Sequence, residues 1–193
     1  FAYIEADVEI GDNCVIMPHA SILNGTRVGK NNNVHQGAVL GAIPQDFHYK
    51  GEESSLIIGD NNDIRENVVI SRATHEGDST VIGNNNSLMD GVHLCHDVKI
   101  GDNCVLGIKS TLAGNCTLDN NVILSSSVLL QQGCHIGIWT FIQGGCRLSK
   151  DVPPYTIMAG NPATYHGINA VILSHHKVSE RILRHISNAY RLV

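Results

Sequence analysis

Branched aliphatic residues recur at every sixth position along most of this chain. Steps of six from Ile4 to Leu148 give 25 positions, and 22 of them hold Ile, Leu or Val. The three exceptions are Asp46, Glu52 and Glu76. Since branched aliphatics make up only about a fifth to a quarter of ordinary residues, chance does not produce this series.

A period of six matches neither the 3.6-residue helix nor the two-residue alternation of a long strand. It fits a short strand followed by a corner, so that three hexads make one coil of a triangular parallel β-helix. Each aliphatic side chain then points inward and stacks on its counterpart 18 residues away. We therefore predict an all-β fold, a parallel β-helix of about eight coils between Ile4 and Val152.

A second position, four residues after each aliphatic, is usually small. Five of the six cysteines occupy it, where a free thiol behaves as a small hydrophobe: Cys14, Cys104, Cys116, Cys134 and Cys146. Only Cys95 lies outside this position, and the chain has no Cys-x-x-Cys motif. These features favour reduced core thiols in a cytoplasmic protein over disulfides or a metal site.

The repeat is interrupted at 41–57 and at 75–79, and it ends after Val152. Segments that leave a solenoid form loops on one side, and such loops are frequent binding elements. We assign 1–152 to the β-helix and 153–193 to a C-terminal extension. In the extension, Ser179 is a candidate N-cap for an amphipathic helix reaching Val193.

Overall charge and hydropathy exclude several functions. The net charge is −5 and the pI about 6.1, so no basic surface indicates a nucleic-acid or anionic-membrane partner. Apolar runs are only a few residues long, which predicts no membrane span. The chain opens at Phe1 without a signal-peptide pattern.

Two histidines, His93 and His96, stand three apart in the segment LMDGVHLCHDVKIGDNCV. The frame assigns the inward positions around them to Val92 and Leu94, so both histidines are expected to face outward on either side of a corner. Acid–base chemistry, metal binding and a plain surface position all remain open on spacing alone. Metal is the weaker hypothesis, because no third histidine or carboxylate follows at a repeated metal-site spacing.

Several blocks resemble one family within the hexapeptide-repeat proteins, the UDP-N-acetylglucosamine acyltransferases of lipid A biosynthesis. The resemblance covers nearly the whole chain, in the family's order and spacing. The blocks are NVHQGAVLGAIPQDFHYKGEE, IGDNNDIRENVVISRAT, VIGNNNSLMDGVHLCHDVKIGDN, IQGGCRLSKDVPPYTIMAGNPAT, HGIN and ISNAYRLV. The resemblance implies a left-handed β-helix and a homotrimer with sites between subunits. Relative to the family, the chain is short of about one first coil and most of a C-terminal helical domain.

The resemblance also implies a reaction, the first step of lipid A biosynthesis. An (R)-3-hydroxyacyl chain moves from acyl carrier protein to the 3-hydroxyl of UDP-N-acetylglucosamine, with the donor on the carrier's phosphopantetheine and no cofactor or metal. His96 matches the general base, Asp97 its orienting partner, and the Gly114 N–H the oxyanion donor. The remaining matched positions are substrate-binding ones: Asp46, His48, His93, Asn115, Gln131, Gly144 and Asn169. Among these, Gly144 falls where the family measures acyl length.

This chain departs from the family at several of those positions. His48 replaces a lysine, Asn115 a histidine, and Gln131-Gln132-Gly133 a His-Gln-Phe run. His175-His176 stands in place of an Arg-Arg pair, and Val171 in place of an acidic residue. Three functional hypotheses follow: the lipid A acyltransferase itself, a divergent acyltransferase acting on another sugar nucleotide, and a non-catalytic β-helix that binds partners.

Overall fold

The computed structural model describes residues 1–191 and shows a chain built almost entirely of short strands. In chain order the strands are β1 (Tyr3–Ile4), β2 (Val8–Ile10), β3 (Val15–Ile16), β4 (Ser21–Ile22), β5 (Thr26–Val28), β6 (Asn33–Val34), β7 (Val39–Ala42), β8 (Ser55–Ile58), β9 (Asp63–Ile64), β10 (Val69–Ser71), β11 (Ser79–Ile82), β12 (Ser87–Leu88), β13 (His93–Leu94), β14 (Lys99–Ile100), β15 (Val105–Leu106), β16 (Thr111–Leu112), β17 (Thr117–Leu118), β18 (Ile123–Leu124), β19 (Leu129–Leu130), β20 (His135–Ile136), β21 (Phe141–Ile142), β22 (Arg147–Leu148), β23 (Thr156–Ala159) and β24 (Thr164–Ile168). Two helices follow, α1 (Ala170–His175) and α2 (Glu180–Ala189).

The strands form three sheets that serve as the faces of a triangular prism. The first face is β1-β4-β7-β10-β13-β16-β19-β22, the second β2-β5-β8-β11-β14-β17-β20, and the third β24-β23-β21-β18-β15-β12-β9-β6-β3. Pairing joins equivalent strands of successive coils in parallel, as in Leu106 with Leu124 and Leu124 with Ile142. The predicted parallel β-helix and its 18-residue column are confirmed.

Inward aliphatic columns fill the prism. From Ile22 to Leu148, every aliphatic residue of the hexad series is buried, with at most 5% of its surface exposed. Full burial of one such side chain stabilises a fold by about 1.5–3 kcal/mol. Only the first coil, which packs on a single neighbour, leaves its members partly exposed: Ile4, Ile10 and Ile16.

Tight turns connect the faces, and one residue in many of them has left-handed backbone. Among the 15 non-glycine residues with positive φ in the described chain, 8 are Asn. Asparagine tolerates this conformation better than most residues, which explains its abundance in the sequence.

Both interruptions of the repeat leave the prism at the same edge. We call the turn from the first face to the second the first corner, from the second to the third the second corner, and from the third back to the first the third corner. The chain leaves the first corner between β7 and β8, over 43–54, and again between β10 and β11, over 72–78. These excursions were predicted at 41–57 and 75–79. The first is shorter than predicted because β7 and β8 extend into it, and the second begins earlier, directly after β10.

The C-terminal extension continues the third face before it turns helical. Strand β23 pairs in parallel with β21, and β24 then returns antiparallel beside β23. The sequence predicted neither strand, because neither follows the hexad frame. Ser179 caps α2 as predicted, its side chain accepting a hydrogen bond from the Ile182 N–H. The predicted end of that helix at Val193 lies outside the described residues.

Candidate active site

The first corner brings together residues from three successive coils. His96 and Asp97 form the turn after β13, Gly114 lies in the turn after β16, and Gln132 in the turn after β19. Positions 96, 114 and 132 are 18 apart, so the coil period stacks them. The excursion 43–54 adds Asp46 and His48, which together with His96, Gly114 and Gln132 line a cavity of about 500 Å³.

His96 is contacted through both ring nitrogens. Nδ1 lies 2.8 Å from Asp97 Oδ2, and Nε2 lies 3.2 Å from Asp46 Oδ2. Its side chain is only 9% exposed. As predicted, His96 lies outside the core columns and projects from the coil at a corner. The excursion from the same chain covers it.

Asp97 is fixed by backbone and side-chain partners of its own. Its φ of 60° is left-handed. The Asp97 N–H donates to Thr80 Oγ1 at 2.9 Å, and its carboxylate accepts from the Thr74 N–H at 3.3 Å. Since Asp97 accepts a hydrogen bond from the Nδ1–H of His96, these bonds set the tautomer that leaves Nε2 as the reactive nitrogen.

Gly114 lies directly against the His96 ring. A Cβ at this position would overlap the imidazole, so only glycine permits this approach. The residue is buried, and within residues 1–191 its backbone N–H finds no hydrogen-bond acceptor. A buried, unpaired N–H beside a histidine can stabilise negative charge that develops in the cavity.

Asp46 is held in its own excursion by His48. Asp46 Oδ1 accepts the His48 backbone N–H at 2.7 Å and lies 2.8 Å from His48 Nδ1. The backbone hydrogen bond, followed by the side-chain one, lowers the pKa of Asp46. This carboxylate therefore stays ionised and available as an acceptor at neutral pH.

His93 lies on the first face, one strand position before the inward Leu94, and lines the same cavity. Burial lowers the pKa of His93, because a half-buried imidazole resists acquiring charge. A neutral His93 can both donate and accept a hydrogen bond.

The other predicted substrate positions do not line this cavity. Asn115 and Gln131 are exposed at the first corner, where the Asn115 N–H donates to the His96 carbonyl at 3.0 Å. Gly144 lies at the third corner, beside the Ser126 carbonyl. Asn169 lies at the second corner, its Nδ2 donating to the Trp139 carbonyl at 3.0 Å. One chain therefore does not bring all ten predicted residues together.

The cavity wall also contains six residues that the sequence analysis did not assign to the site: Gln45, Phe47, Ser71, Cys95, Ala113 and Gln132. The 18-residue spacing from Gly114 to Gln132 would have found the last of them. Cys95 follows Leu94 directly, and burial raises the pKa of its thiol. That shift makes Cys95 a wall residue rather than a nucleophile at neutral pH.

No metal centre is formed by the described residues, among which no three His, Cys, Asp or Glu groups converge closely enough to hold an ion. All six cysteines are free. No helix found between residues 1 and 191 is long and apolar enough to cross a membrane.

Family models and solved structures of known proteins match this chain. Residues 151–193 match the model for domain 2 of UDP N-acetylglucosamine O-acyltransferase, and 1–42 and 79–107 match that for bacterial transferase hexapeptide repeats. The crystal structure of UDP-N-acetylglucosamine acyltransferase from Bacteroides fragilis is 46% identical, with a TM-score of 0.93 over 98% of this chain and 82% of that one. The chain belongs to the UDP-N-acetylglucosamine O-acyltransferase family.

Two more proteins of this acyltransferase family are similar to the chain. The Francisella novicida UDP-N-acetylglucosamine acyltransferase structure is 37% identical, with a TM-score of 0.96 over 99% of this chain and 71% of that one. The acyl-[acyl-carrier-protein]–UDP-N-acetylglucosamine O-acyltransferase of Synechocystis sp. is 38% identical over 168 residues, 87% of this chain. The matched region spans 61% of that curated relative. As in this family, the β-helix is left-handed.

Proposed function

We propose that this acyltransferase family member transfers an (R)-3-hydroxyacyl chain from acyl carrier protein to the 3-hydroxyl of UDP-N-acetylglucosamine. The observation that carries the proposal is the packing of the His96 imidazole on Gly114, with Asp97 on one ring nitrogen and an unpaired N–H beside it. A proton acceptor and an oxyanion donor thereby line one cavity, which is what acyl transfer to an alcohol requires.

The chemistry assigned to each group follows from its position. His96 Nε2 takes the proton of the acceptor hydroxyl as its oxygen attacks the thioester carbonyl carbon. The Gly114 N–H donates to the carbonyl oxygen while it carries negative charge. As the C–S bond breaks and the ester forms, the proton on His96 passes to the leaving thiolate. Asp97 stabilises the positive charge that His96 holds in between.

We further propose a homotrimer with each site shared between two subunits. Gly144 and Asn169 lie at corners other than that of His96, so a second copy is needed to bring them to one site. The outer faces also carry exposed apolar side chains that a neighbouring subunit would cover, among them Met89, Ile108 and Leu129.

The remaining parts of the proposal follow from the reaction. Acyl carrier protein is the partner that delivers the acyl chain on its phosphopantetheine, and no other cofactor or metal is required. A cytoplasmic location fits the free cysteines, since thiols stay reduced there.

The acceptor sugar nucleotide is the part of this proposal for which the structure favours a second candidate. Trp139 packs against His176 with 4.2 Å between ring centroids, and His175 packs on His176. Imidazoles thus occupy the place of the family's paired arginines beside Asn169. Another sugar nucleotide is therefore the second candidate acceptor.

One assay tests both candidates. Purified protein is incubated with acyl carrier protein thioesters of several lengths and a panel of UDP-sugars, and O-acylated products are identified by mass spectrometry. We expect acylation of UDP-N-acetylglucosamine. Preference for another sugar supports the second candidate, and absence of product with every pair contradicts acyl transfer.

A further inference from the structure

A single hydrogen bond fastens the excursion between β7 and β8 to the prism. Arg72 Nη2 donates to the Tyr49 hydroxyl at 2.7 Å. Within the chain from 1 to 191, no other hydrogen bond joins 43–52 to a residue outside that segment. Packing adds little, because Pro44 is the only side chain of the segment that is buried. The position of this segment over the first corner therefore depends on Arg72.

The part of the excursion that reaches the cavity is a tight turn closed by Tyr49. The Tyr49 N–H donates to the Asp46 carbonyl at 3.2 Å, and the His48 N–H donates to Asp46 Oδ1 at 2.7 Å. These two bonds are those of a β-turn and of an Asx-turn, so 46–49 forms one compact unit. A bond that fixes the Tyr49 hydroxyl therefore also fixes the Asp46 carboxylate at the other end of the turn.

Arg72 is itself fixed to the prism. Its Nη1 donates to the Asn24 carbonyl of an earlier coil at 3.0 Å, and its backbone N–H donates to the Ala42 carbonyl at 3.0 Å. The guanidinium carbon lies 5.8 Å from the centre of the Tyr49 ring. The planar guanidinium thus donates in two fixed directions, one to the prism and one to the excursion, which the compact ammonium of a lysine does not do.

The tether leaves one carboxylate oxygen of Asp46 directed into the cavity. Oδ1 is occupied by His48, whereas Oδ2 lies 3.2 Å from His96 Nε2. An acceptor hydroxyl that approaches His96 brings the neighbouring hydroxyl groups of its sugar close to Oδ2. A carboxylate oxygen accepts hydrogen bonds from such groups. Displacement of the turn would remove this acceptor from the site.

We propose that Arg72 and Tyr49 are positioning residues for the acceptor, which act by holding Asp46 over the cavity. The proposal rests on the proposed function, in which the acceptor hydroxyl approaches His96. Neither Arg72 nor Tyr49 lines the cavity, so both act through Asp46 and not by contact with the substrate. Holding a binding segment in place before the substrate arrives reduces the entropy lost on binding, so the tether should increase affinity for the acceptor.

Tyr49→Phe tests the proposal, because it removes the hydroxyl and keeps the ring. We expect KM for the acceptor to rise about 10-fold, the usual cost of losing a hydrogen bond to a charged group, with a smaller change in kcat. In an Asp46→Ala background, the same change should have no further effect on kcat/KM. Equal losses in the two backgrounds, or an unchanged KM in Tyr49→Phe, would overturn the proposal.

Tyr3→Phe is the matched control. The Tyr3 hydroxyl also donates a hydrogen bond, to Glu5 Oε1 at 3.3 Å. It lies on the first face, but β1 is four strands from β13 and so far from the cavity. KM for the acceptor should equal that of the wild type. A rise like that of Tyr49→Phe would show that loss of any tyrosine hydroxyl has this effect, and the assignment to Tyr49 would fail.

Arg72→Lys tests the other half of the tether. Lysine keeps the positive charge but loses the two fixed donor directions, so it should raise KM for the acceptor as Tyr49→Phe does. The double variant Arg72→Lys/Tyr49→Phe should be no worse than the more impaired single variant, because both changes break the same bond. A wild-type KM in Arg72→Lys would show that charge alone is sufficient and would contradict the tether.

Hydrogen–deuterium exchange followed by mass spectrometry does not depend on activity. In Tyr49→Phe, peptides from 43–54 should exchange about 10-fold faster, because the segment spends more time detached, while those from β10 and β13 keep the wild-type rate. This selective loosening supports the tether even if the proposed acceptor proves wrong. Unchanged exchange in 43–54 contradicts it, and faster exchange in β10 and β13 as well would make Tyr49 a general stabilising residue.

Discussion

His96 is held on three sides by groups from three separate parts of the chain. Asp97 follows it in sequence, Asp46 comes from the excursion between β7 and β8, and Gly114 comes from the next coil. Only the first of these contacts is local. The reactive geometry of one side chain therefore depends on correct pairing between coils.

Removing the imidazole tests its role as the base. His96→Ala should lower kcat by about 10²- to 10⁴-fold, the usual loss for a general base. His93→Ala should instead raise KM for the acceptor more than it lowers kcat, because His93 is assigned to binding. Steady-state kinetics with acyl carrier protein thioesters measure both. Near-normal turnover of His96→Ala would refute the assignment.

Adding one methyl group at Gly114, in the coil after that of His96, should also lower kcat. Gly114→Ala places a Cβ where the His96 ring lies, so the ring must shift away from its productive position. We expect a loss of about 10²-fold or more in kcat, as when an oxyanion or base contact is misaligned. The double variant Gly114→Ala/His96→Ala should be little worse than His96→Ala alone. Fully additive losses would show that Gly114 acts independently of the ring.

At the scale of the element, each strand is too short to be stable alone. Most have two residues, such as β17 (Thr117–Leu118), which pairs with the equivalent strands of the coils before and after it. Stability therefore resides in the stacked columns, as in other repeat folds where each unit contacts only its neighbours.

Truncation of one inward residue should reveal this dependence. Leu118→Ala removes a side chain that is 1% exposed, which should lower the free energy of unfolding by about 2–5 kcal/mol. Thr117→Ala, its outward neighbour on β17, should change it by about 0.5 kcal/mol or less. Denaturant unfolding followed by circular dichroism measures both. Similar effects of the two changes would contradict the columnar core.

The sequence predicted a strand correctly where that strand follows the six-residue repeat. Residues such as Leu106 and Leu124 obey a strict period, and their strands and inward orientation were predicted correctly. Strands β23 and β24 do not follow this period. Their pairing partners are determined by where the prism ends, and no local sequence pattern indicates that position.

That the excursion covers His96 escaped prediction for a related reason. The position of an excursion over the surface depends on contacts that form only after folding, such as the bond from Arg72 Nη2 to the Tyr49 hydroxyl at 2.7 Å. By contrast, the shared corner of His96, Gly114 and Gln132 follows from the 18-residue period and needs no structure to find.

At the scale of the whole molecule, the predicted site residues occupy all three edges of the prism. His96 and its partners lie at the first corner, Asn169 at the second and Gly144 at the third. Rotation about a threefold axis can bring different corners of neighbouring copies together, whereas a lone chain keeps them apart.

Subunit mixing tests this shared site. Light scattering should give three times the chain mass of 20.8 kDa. His96→Ala and Asn169→Ala should each be nearly inactive, and co-expression in equal amounts should restore about a quarter of wild-type activity through random assortment.

The matched control for mixing uses two changes at one corner. Co-expressed His96→Ala and Gly114→Ala should restore nothing, because both residues belong to the same subunit's corner. Activity in this control, or none in the first mixture, would show that the site is not divided between subunits as assigned.

Because each regular coil contains 18 residues, an insertion rotates the residues after it around the axis of the prism. Six residues inserted between Val98 and Ala113 would rotate everything downstream by a third of a turn, moving Gly114 to a different edge from His96 while every hexad stayed in frame. A full extra coil would restore the edge but separate the two residues by a further strand spacing of about 4.8 Å. Length can change without either displacement only where the chain already leaves the prism, at 43–54 and 72–78. Both lie at the first corner, so the segments free to vary in length are those that contact His96 and Asp97.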